Sequence, residues 1–358
     1  MSQGLLVRLK PIGPWRYGSA SGARNEMVEL YHSDSLFSAV THAMEKLGEL
    51  DAWLEATAQA SKPVVRFSSC YPWQAGELFV RPPRNLWPSS SPAAVRWRRA
   101  RFVPTSVARL LLDGRPLVEA EWSVDALSGC LVPGAKPSAG PFRTTLRTGA
   151  AVDRLCRGSS EARRIAAVEF APDAGLWLVV SFAGEGAADR WRQPIEAAFR
   201  LLADSGFGGR RSIGWGRSEA PEFVTGSIPA LFLPDSPPSV ETPAAATDRD
   251  ASVVEDPVAP VPSVTGHWLL SLYRPAETEH VRWDRGSYRL VTRGGRIESS
   301  AQWGGLKRLV KMVAEGSVLI ADSVPGGSVA DVAPAGFPHP VYRYGFPVSV
   351  PIPVREVR

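Results

Sequence analysis

The 358-residue sequence predicts an α+β protein made of two sheet-based halves that are joined by a linker. Each half begins with apolar residues in the alternating pattern of a strand, and two later segments of the first half have the apolar period of a helix. A stretch rich in proline, alanine and acids separates the halves and has no aromatic residue. The boundaries predicted are a domain at 1–233, a flexible linker at 234–263 and a second domain at 264–358.

The first half contains the elements of a ferredoxin-like domain in order. A strand is predicted within 4–13 and a helix within 32–48, where Ser33 or Asp34 can cap the free amides. The strands "RIAAVEFAP" and "GLWLVVSFAG" flank an Asp-Ala-Gly turn and predict a hairpin. A second helix, "RWRQPIEAAFRLLADSG", and a last strand near "EAPEFV" complete the order strand, helix, strand, strand, helix, strand. Residues from about 51 to 164 would then be a large insertion.

The second half suits a more degraded copy of the same fold. It offers the strand-like segments "HWLLSLYRP" and "YRLVTRGG", the amphipathic segment "LKRLVKMVAEG", and then "SVLIA" and "YRYGFPVSV". No direct sequence repeat links the two halves. The prediction of two ferredoxin-like, RRM-like domains therefore depends on element order alone.

Composition indicates an anionic partner and argues against several classes of enzyme. Lys and Arg number 41 against 36 Asp and Glu, and the isoelectric point is near 9.3. The three cysteines lie far apart and the five histidines lack a metal-ligand spacing, so we expect no disulfide framework, no metal and no cofactor. A phosphate-binding P-loop motif is also absent. Because no long apolar run occurs, the prediction is a cytoplasmic protein without membrane contact.

A glycine- and arginine-rich loop after the second helix is the strongest functional signal. Its glycines allow backbone amides to point together at phosphate oxygens, and its arginines add charge-assisted contacts to the same oxygens. A hydroxyl and an indole face for base stacking complete the set. The alternative is a long turn with solvated arginines. The predicted RNA-binding residues of this loop are Gly208, Gly209, Arg210, Arg211, Ser212, Gly214, Trp215, Gly216 and Arg217.

Two further segments carry weaker signals. His32, beside Tyr31 and Asp34, could act as a general base in metal-free RNA cleavage, or it could simply hydrogen-bond at the start of a capped helix. The basic run at 96–101 surrounds Trp97 and has Arg81 and Arg84 nearby. Basic side chains around an aromatic ring fit a single-stranded RNA track, and they equally fit an exposed charged loop.

Five segments in one order resemble a known family. They are "LYHSDSLFSAVTHAM", "RTGAAVDRL", "GFGGRRSIGWGR", "LLSLYRP" and "HPVYRYGFPVSVPIP". Together they resemble the RAMP proteins of type III-A CRISPR effectors that cap the crRNA 5′ handle, namely subunit four of the Csm complexes in the Cas-five-like group. The resemblance spans nearly the whole chain. The glycine loop alone would indicate only the wider RAMP superfamily, whereas the "HSDSLFSA" and "PVYRYG" segments indicate this group within it.

The resemblance implies a function as well as a fold. It implies two ferredoxin-like RAMP domains, no catalysis, and a place beside the large polymerase-like subunit and the first backbone RAMP subunit. The glycine loop would hold the crRNA 5′ handle, with His32, Ser33, Arg147 and Arg154 near the RNA. The insertion would supply a thumb-like hairpin, with 121–142 as the candidate tip. The alternative function is that of a RAMP endoribonuclease that processes precursor crRNA with His32 as general base.

Overall fold

A computed structural model describes residues 3–18, 25–88, 94–134, 139–152, 160–235, 263–297 and 305–355. Most of the predicted linker therefore lies outside the described residues. The N-terminal half contains, in chain order, β1 (Gln3–Leu9), α1 (Ser33–Lys46), α2 (Leu50–Ala56), β2 (Val65–Phe67), β3 (Tyr71–Gln74), β4 (Glu77–Val80), α3 (Ala94–Trp97), β5 (Val103–Pro104), α4 (Thr105–Leu112), β6 (Trp122–Val124), β7 (Leu131–Pro133), β8 (Phe142–Val152), β9 (Ser160–Phe170), β10 (Ala174–Phe182), α5 (Ala187–Ser205) and β11 (Glu222–Ser227).

The central sheet of this half has the strand order of a ferredoxin-like domain. Its strands lie in the order β11-β1-β10-β3-β4-β5, and β2 also pairs with β10. Strand β1 is antiparallel to both β10 and β11. Helices α1 and α5 pack against each other and contribute apolar side chains to the same core, including Phe37, Val40, Trp191 and Phe199. The apolar period of the two helices thus predicted their buried faces correctly, and the α+β fold class is confirmed.

The hairpin predicted on either side of the 173–175 turn is wrong. Strand β10 pairs with β1 on one side and with β2 and β3 on the other, so it has no free edge for β9. Strand β9 instead pairs with β8 along its whole length, from Phe142 opposite Phe170 to Val152 opposite Ser160. A tight turn between two apolar stretches does not by itself decide which strands pair, because pairing also depends on the neighbours that the rest of the sheet supplies.

The second strand of the ferredoxin-like order comes from inside the segment that the sequence assigned to the insertion. Strands β2 and β3 occupy that position beside β10, and β4 and β5 then extend the sheet. These strands have only two to four residues each. Runs this short have too few residues for an alternating pattern to stand out from the surrounding sequence.

The C-terminal half consists of small antiparallel sheets. Its strands are β12 (Ser263–Leu269), β13 (Leu290–Arg293), β14 (Val310–Val313), β15 (Val318–Ile320), β16 (Ser328–Asp331), β17 (Tyr342–Gly345) and β18 (Ser349–Arg355). Strand β12 lies between β15 and β18, while β13 pairs with β14 and β16 pairs with β17. The amphipathic segment at 306–316 forms strand β14, and the described residues of this half contain no helix.

The two halves share one hydrophobic core. The ring of Phe37 on α1 stacks on the ring of Tyr344 on β17, with centroids 4.1 Å apart and planes at 11°. The indole of Trp268 on β12 donates a hydrogen bond to the carbonyl of Arg81 at 3.1 Å. The contact between Phe37 and Tyr344 places one face of α1 against the C-terminal half. Among the described helices, none is both long enough and apolar enough to cross a membrane.

Candidate RNA-binding site

The glycine-rich loop leaves α5 and folds back on the segment that follows β1. The amide of Gly209 donates a hydrogen bond to the carbonyl of Arg16 at 2.9 Å, and the amide of Gly216 donates one to the carbonyl of Pro14 at 3.0 Å. The amide of Phe207 closes the loop on the carbonyl of Gly216 at 3.2 Å. The loop is therefore anchored at both ends, and its tip, which includes a short 3₁₀ turn at Arg211–Ile213, is turned outward.

Close backbone approach explains the glycines at two positions. At Gly208, where φ is +87°, a Cβ atom would lie 2.7 Å from the carbonyl oxygen of Arg16. At Gly216, where φ is +82°, a Cβ atom would lie 2.1 Å from the carbonyl oxygen of Phe207. Both positions thus require glycine for conformation and for space. Arg210 also has a positive φ, +71°, which is uncommon for a residue with a side chain.

The polar side chains of the loop tip face solvent. Arg210, Ser212 and Arg217 are exposed, and Arg211 is half-buried. The charge of Arg211 acts on the side chains of Tyr31 and His42, so this guanidinium lies toward α1. Three of the four polar side chains that the sequence predicted to bind RNA are therefore accessible, on a loop whose backbone is fixed.

Trp215 is not the open stacking platform that the sequence predicted. Its side chain is only 8% exposed and packs on Ile165 and Ala167 of β9. The guanidinium of Arg147 lies over the indole, 5.9 Å from the ring centroid, and forms two hydrogen bonds with Glu169 at 2.8 and 3.1 Å. The large apolar surface of an indole favours burial wherever neighbours can cover it. Trp215 and Arg147 instead dock the β8–β9 hairpin onto the glycine loop.

The long hairpin of the insertion is β8–β9 and not the segment at 121–142. Eleven residue pairs join β8 to β9, and the β8 positions from 143 to 149 are mostly exposed. The segment at 121–142 forms the short pair β6–β7 and buries Cys130 and Leu131. Arg147 lies on the exposed part of β8, whereas Arg154 lies outside the described residues.

His32 and Ser33 are buried between the two halves, away from the exposed surface at which an RNA contact was expected. The exposed fractions of these residues are 5% and 1%. The Nδ1 atom of His32 lies 2.7 Å from Oε1 of Glu315, and the hydroxyl of Ser33 accepts a hydrogen bond from the amide of Leu272 at 3.1 Å. His32 thus contributes to the contact between α1 and the C-terminal half.

The electrostatics of this junction favour ionised carboxylates. Burial raises the pKa of Glu315, but the charge and hydrogen bond of His32, the charge of Arg81 and a bond from Ser69 together lower it to about 2. Burial likewise raises the pKa of Asp34, and the charges of Arg293 and Arg343 hold it well below its usual range. No local sequence pattern links Asp34 to Arg293 and Arg343, because both arginines lie more than two hundred residues away, within strand-like segments.

The basic run at 96–101 does not expose its aromatic ring. Trp97 is 1% exposed, and its ring stacks on that of Trp87 with centroids 5.5 Å apart. Arg101 forms an ion pair with Glu29, and Arg81 lies 3.8 Å from the same carboxylate. The structure therefore gives no support to base stacking on Trp97.

A groove of about 550 Å³ lies between α1, the glycine loop and the C-terminal half. Gly208 and Arg211 of the loop line it, and Lys307 and Arg343 line the opposite wall. Burial and the nearby charge of Arg343 lower the pKa of Lys307 to about 8. The groove and the exposed loop tip share Arg211, so they form one continuous surface.

Comparisons with known proteins agree with this architecture. Residues 264–352 match the family model of the CRISPR Csm4 C-terminal domain. The chain is similar to a chain of the Csm3–Csm4 subcomplex of a type III-A CRISPR-Cas interference complex, with a TM-score of 0.62, 16% identity, and coverage of 99% of this chain and 100% of that one. It is also similar to a chain of a Csm1–Csm4 cassette in complex with cA4, with a TM-score of 0.56, 17% identity and the same coverage. No curated protein matches by sequence.

The subunit that these two assemblies have in common is Csm4. The match to the Csm4 C-terminal domain falls in the half where the sequence segments "LLSLYRP" and "PVYRYG" lie. Residues 264–352 therefore resemble the Csm4 C-terminal domain, and the whole chain has the α+β fold expected from the resemblance.

Proposed function

We propose that this chain, whose residues 264–352 match the family model of the CRISPR Csm4 C-terminal domain, is the RNA-binding subunit of a type III CRISPR effector that holds the crRNA 5′ handle. The observation that carries the proposal is the glycine loop. Its backbone is fixed on residues 14–16, while Arg210, Ser212 and Arg217 face solvent. Guanidinium groups carried at one surface by a fixed backbone bind phosphates with little loss of backbone entropy on binding.

The same proposal includes two protein partners. The solved relatives are described as a Csm3–Csm4 subcomplex and as Csm1–Csm4 cassettes. By this likeness, the chain bridges the large polymerase-like subunit and the first backbone RAMP subunit. A subunit in this position would contact protein on two sides and RNA on a third.

We further propose that the chain has no catalytic role of its own. The base considered for RNA cleavage, His32, is buried and held by Glu315. Its position supports a structural role, because removing its ring would leave Glu315 buried without one of its partners. We therefore propose that the exposed glycine loop binds RNA and that the chain does not cleave it.

Retention of labelled repeat-derived RNA by the full chain tests the binding proposal. The double variant Arg210→Ala, Arg211→Ala should bind about 10- to 100-fold more weakly, because hydrogen bonds between charged groups are lost. The slope of log affinity against log salt should fall by about 0.7 for each phosphate contact removed.

The double variant Lys46→Ala, Lys62→Ala is the matched control. It removes the same amount of charge from two exposed positions outside the loop. Equal weakening by the two double variants would show a general effect of net charge, and unchanged affinity and slope in the loop variant would refute the proposed site.

A further inference from the structure

The groove beside the glycine loop follows one face of α1. Helix α1 contributes Ser35, Ser38, Ala39, His42 and Glu45 to its wall. These positions are spaced by three or four residues, so they share one side of the helix. The opposite side of α1 packs in the core, whereas the side that lines the groove is covered only in part by the C-terminal half.

The facing wall of the groove is basic. Arg296, Lys307, His339 and Arg343 come from the C-terminal half, and Arg211 comes from the glycine loop. Among the described residues that line the groove, Glu45 is the only acid. The groove therefore has an excess of positive charge, with apolar side chains between its cations; these are Leu50, Leu54, Leu202, Ile297 and Tyr342.

Two of the cationic side chains converge on the middle of α1. Burial lowers the pKa of His42, the neighbouring Glu45 raises it, and the charges of Arg211 and Lys307 lower it further. Arg211 reaches this point from the N-terminal half and Lys307 reaches it from the C-terminal half. Ser35 and Ser38 lie beside them on the same face of the helix.

Lys307 is a groove cation whose ammonium group is open to a ligand. It is half-buried, and within the described part of the chain its ammonium group has no hydrogen-bond or ion-pair partner. The charges that act on it are those of Arg343, Asp34 and Arg293, two of which are positive. An anion bound here would gain a charge-assisted contact with Lys307 and would offset the surrounding positive charge.

We propose that this groove binds single-stranded RNA, with one phosphate held by Arg211 and Lys307 and the adjoining base against the apolar wall. The inference rests on the proposed function and extends the RNA path from the loop tip into the space between the two halves. RNA is favoured over a protein segment because Arg211 and Gly208 belong to the loop and to the groove at once. The size of the groove suits a nucleotide.

Chemical protection of Lys307 tests the proposal on the full chain. The protein is treated with an amine-acetylating reagent at about pH 8, with and without repeat-derived RNA, and modified peptides are measured by mass spectrometry. Acetylation of Lys307 should slow severalfold when RNA is bound. Lys311 is exposed on β14 of the same half and does not line the groove, so its acetylation should not change.

Affinity measurements on matched variants complete the test. Lys307→Gln should weaken RNA binding about 10-fold, and Lys307→Arg should keep most of the affinity because the charge remains. Lys311→Gln should bind like the unaltered chain. Protection of Lys307 together with this order of affinities would support the groove.

The outcomes separate this inference from the proposed function. If the unaltered chain binds RNA while Lys307 is acetylated equally in both conditions and Lys307→Gln binds normally, the groove assignment is wrong and the loop assignment stands. Protection of Lys307 by a neighbouring subunit but not by RNA would also overturn the groove assignment, since the occupant would be protein. If the unaltered chain retains no RNA, both are overturned.

Discussion

Asp34, at the start of α1, accepts two hydrogen bonds from the guanidinium group of Arg293, which lies 259 residues later in the chain. The Nε–Oδ2 distance is 2.9 Å, and the second nitrogen lies 3.0 Å from Oδ1. Arg343 donates to the same carboxylate. One buried carboxylate thus joins the first helix of the N-terminal half to two strands of the C-terminal half.

Replacing Asp34 with alanine should destabilise the chain by about 3 to 5 kcal/mol, because Arg293 and Arg343 would stay buried without their shared partner. Chemical denaturation of the full chain measures this loss. Glu196→Ala is the control, since it breaks a partly exposed pair with Arg200 within one helix and should cost about 0.5 kcal/mol or less. Equal effects of the two substitutions would contradict the interpretation.

The ionisation of Glu315 should make the free energy of unfolding depend on pH in the acid range. Its pKa is about 2 in the folded chain against 4.5 ordinarily, so its contribution is complete above 4.5 and is lost as the pH falls through the folded value. Glu315→Gln should therefore be less stable than the unaltered chain near neutral pH, and this difference should shrink as the pH falls from 4.5 toward 2. Unfolding curves at several pH values measure it. A difference independent of pH would mean that the charge of Glu315 is not what stabilises the junction.

The buried state of His32 predicts that the chain does not cut RNA. Repeat-derived RNA incubated with the full chain should stay intact with or without divalent metal ions, since His32 is held against Glu315 in the junction. Gel electrophoresis of the labelled RNA measures this. Cleavage that disappears in His32→Ala, while Asp34→Asn still cleaves, would revive the endoribonuclease alternative.

The sequence predicted the elements whose patterns are local. Helices α1 and α5 were found because their apolar residues recur at helical spacing over several turns, β1 because its apolar residues alternate with basic ones, and β10 because of its apolar run. The glycine loop was also noticed, since closely spaced glycines and arginines are a local signal. Arg210, Ser212 and Arg217 of this loop lie at the surface.

What the sequence could not predict depends on partners far along the chain. The segment at 32–34 has polar residues that suit a catalytic or RNA-binding site equally well, and only the arrival of Glu315 and Arg293 makes it a structural junction. Trp215 was expected to offer a stacking face because it lies in a loop of glycines and arginines, whereas its neighbours in space are Ile165 and Ala167. Lys307 and Arg296 are separated from the loop by many residues, so no local pattern joined them to it.

Gly216→Ala should reduce both stability and RNA affinity. The new Cβ atom would lie 2.1 Å from the carbonyl oxygen of Phe207 at a φ of +82°, so the loop would have to move away from residue 207. Gly214 is a matched control, because it has the same φ and no atom within 4 Å of its Cβ position. Gly214→Ala should cost about 1 kcal/mol from backbone strain alone. Thermal melting and RNA titration measure both, and equal losses would show that close packing at Gly216 is unimportant.

RNA affinity should fall as the pH rises through about 8, the pKa of Lys307 in the free chain. Burial lowers this pKa first, and Arg343 and Arg293 lower it further against the opposing charge of Asp34. RNA phosphates stay ionised throughout this range, so above the pKa the chain must take up a proton to bind, and each further pH unit should cost up to about a tenfold loss. The same shift has the opposite sign for folding. Between about pH 8 and 10.5 the unfolded chain binds more protons than the folded one, so the free energy of unfolding rises with pH there.

Lys307→Arg should bind equally well across the range, because a guanidinium stays charged, and Lys307→Gln should bind weakly at every pH. Titrations of labelled RNA at fixed ionic strength measure the three profiles, and a profile of the unaltered chain as flat as that of Lys307→Arg would show that Lys307 does not meet the RNA.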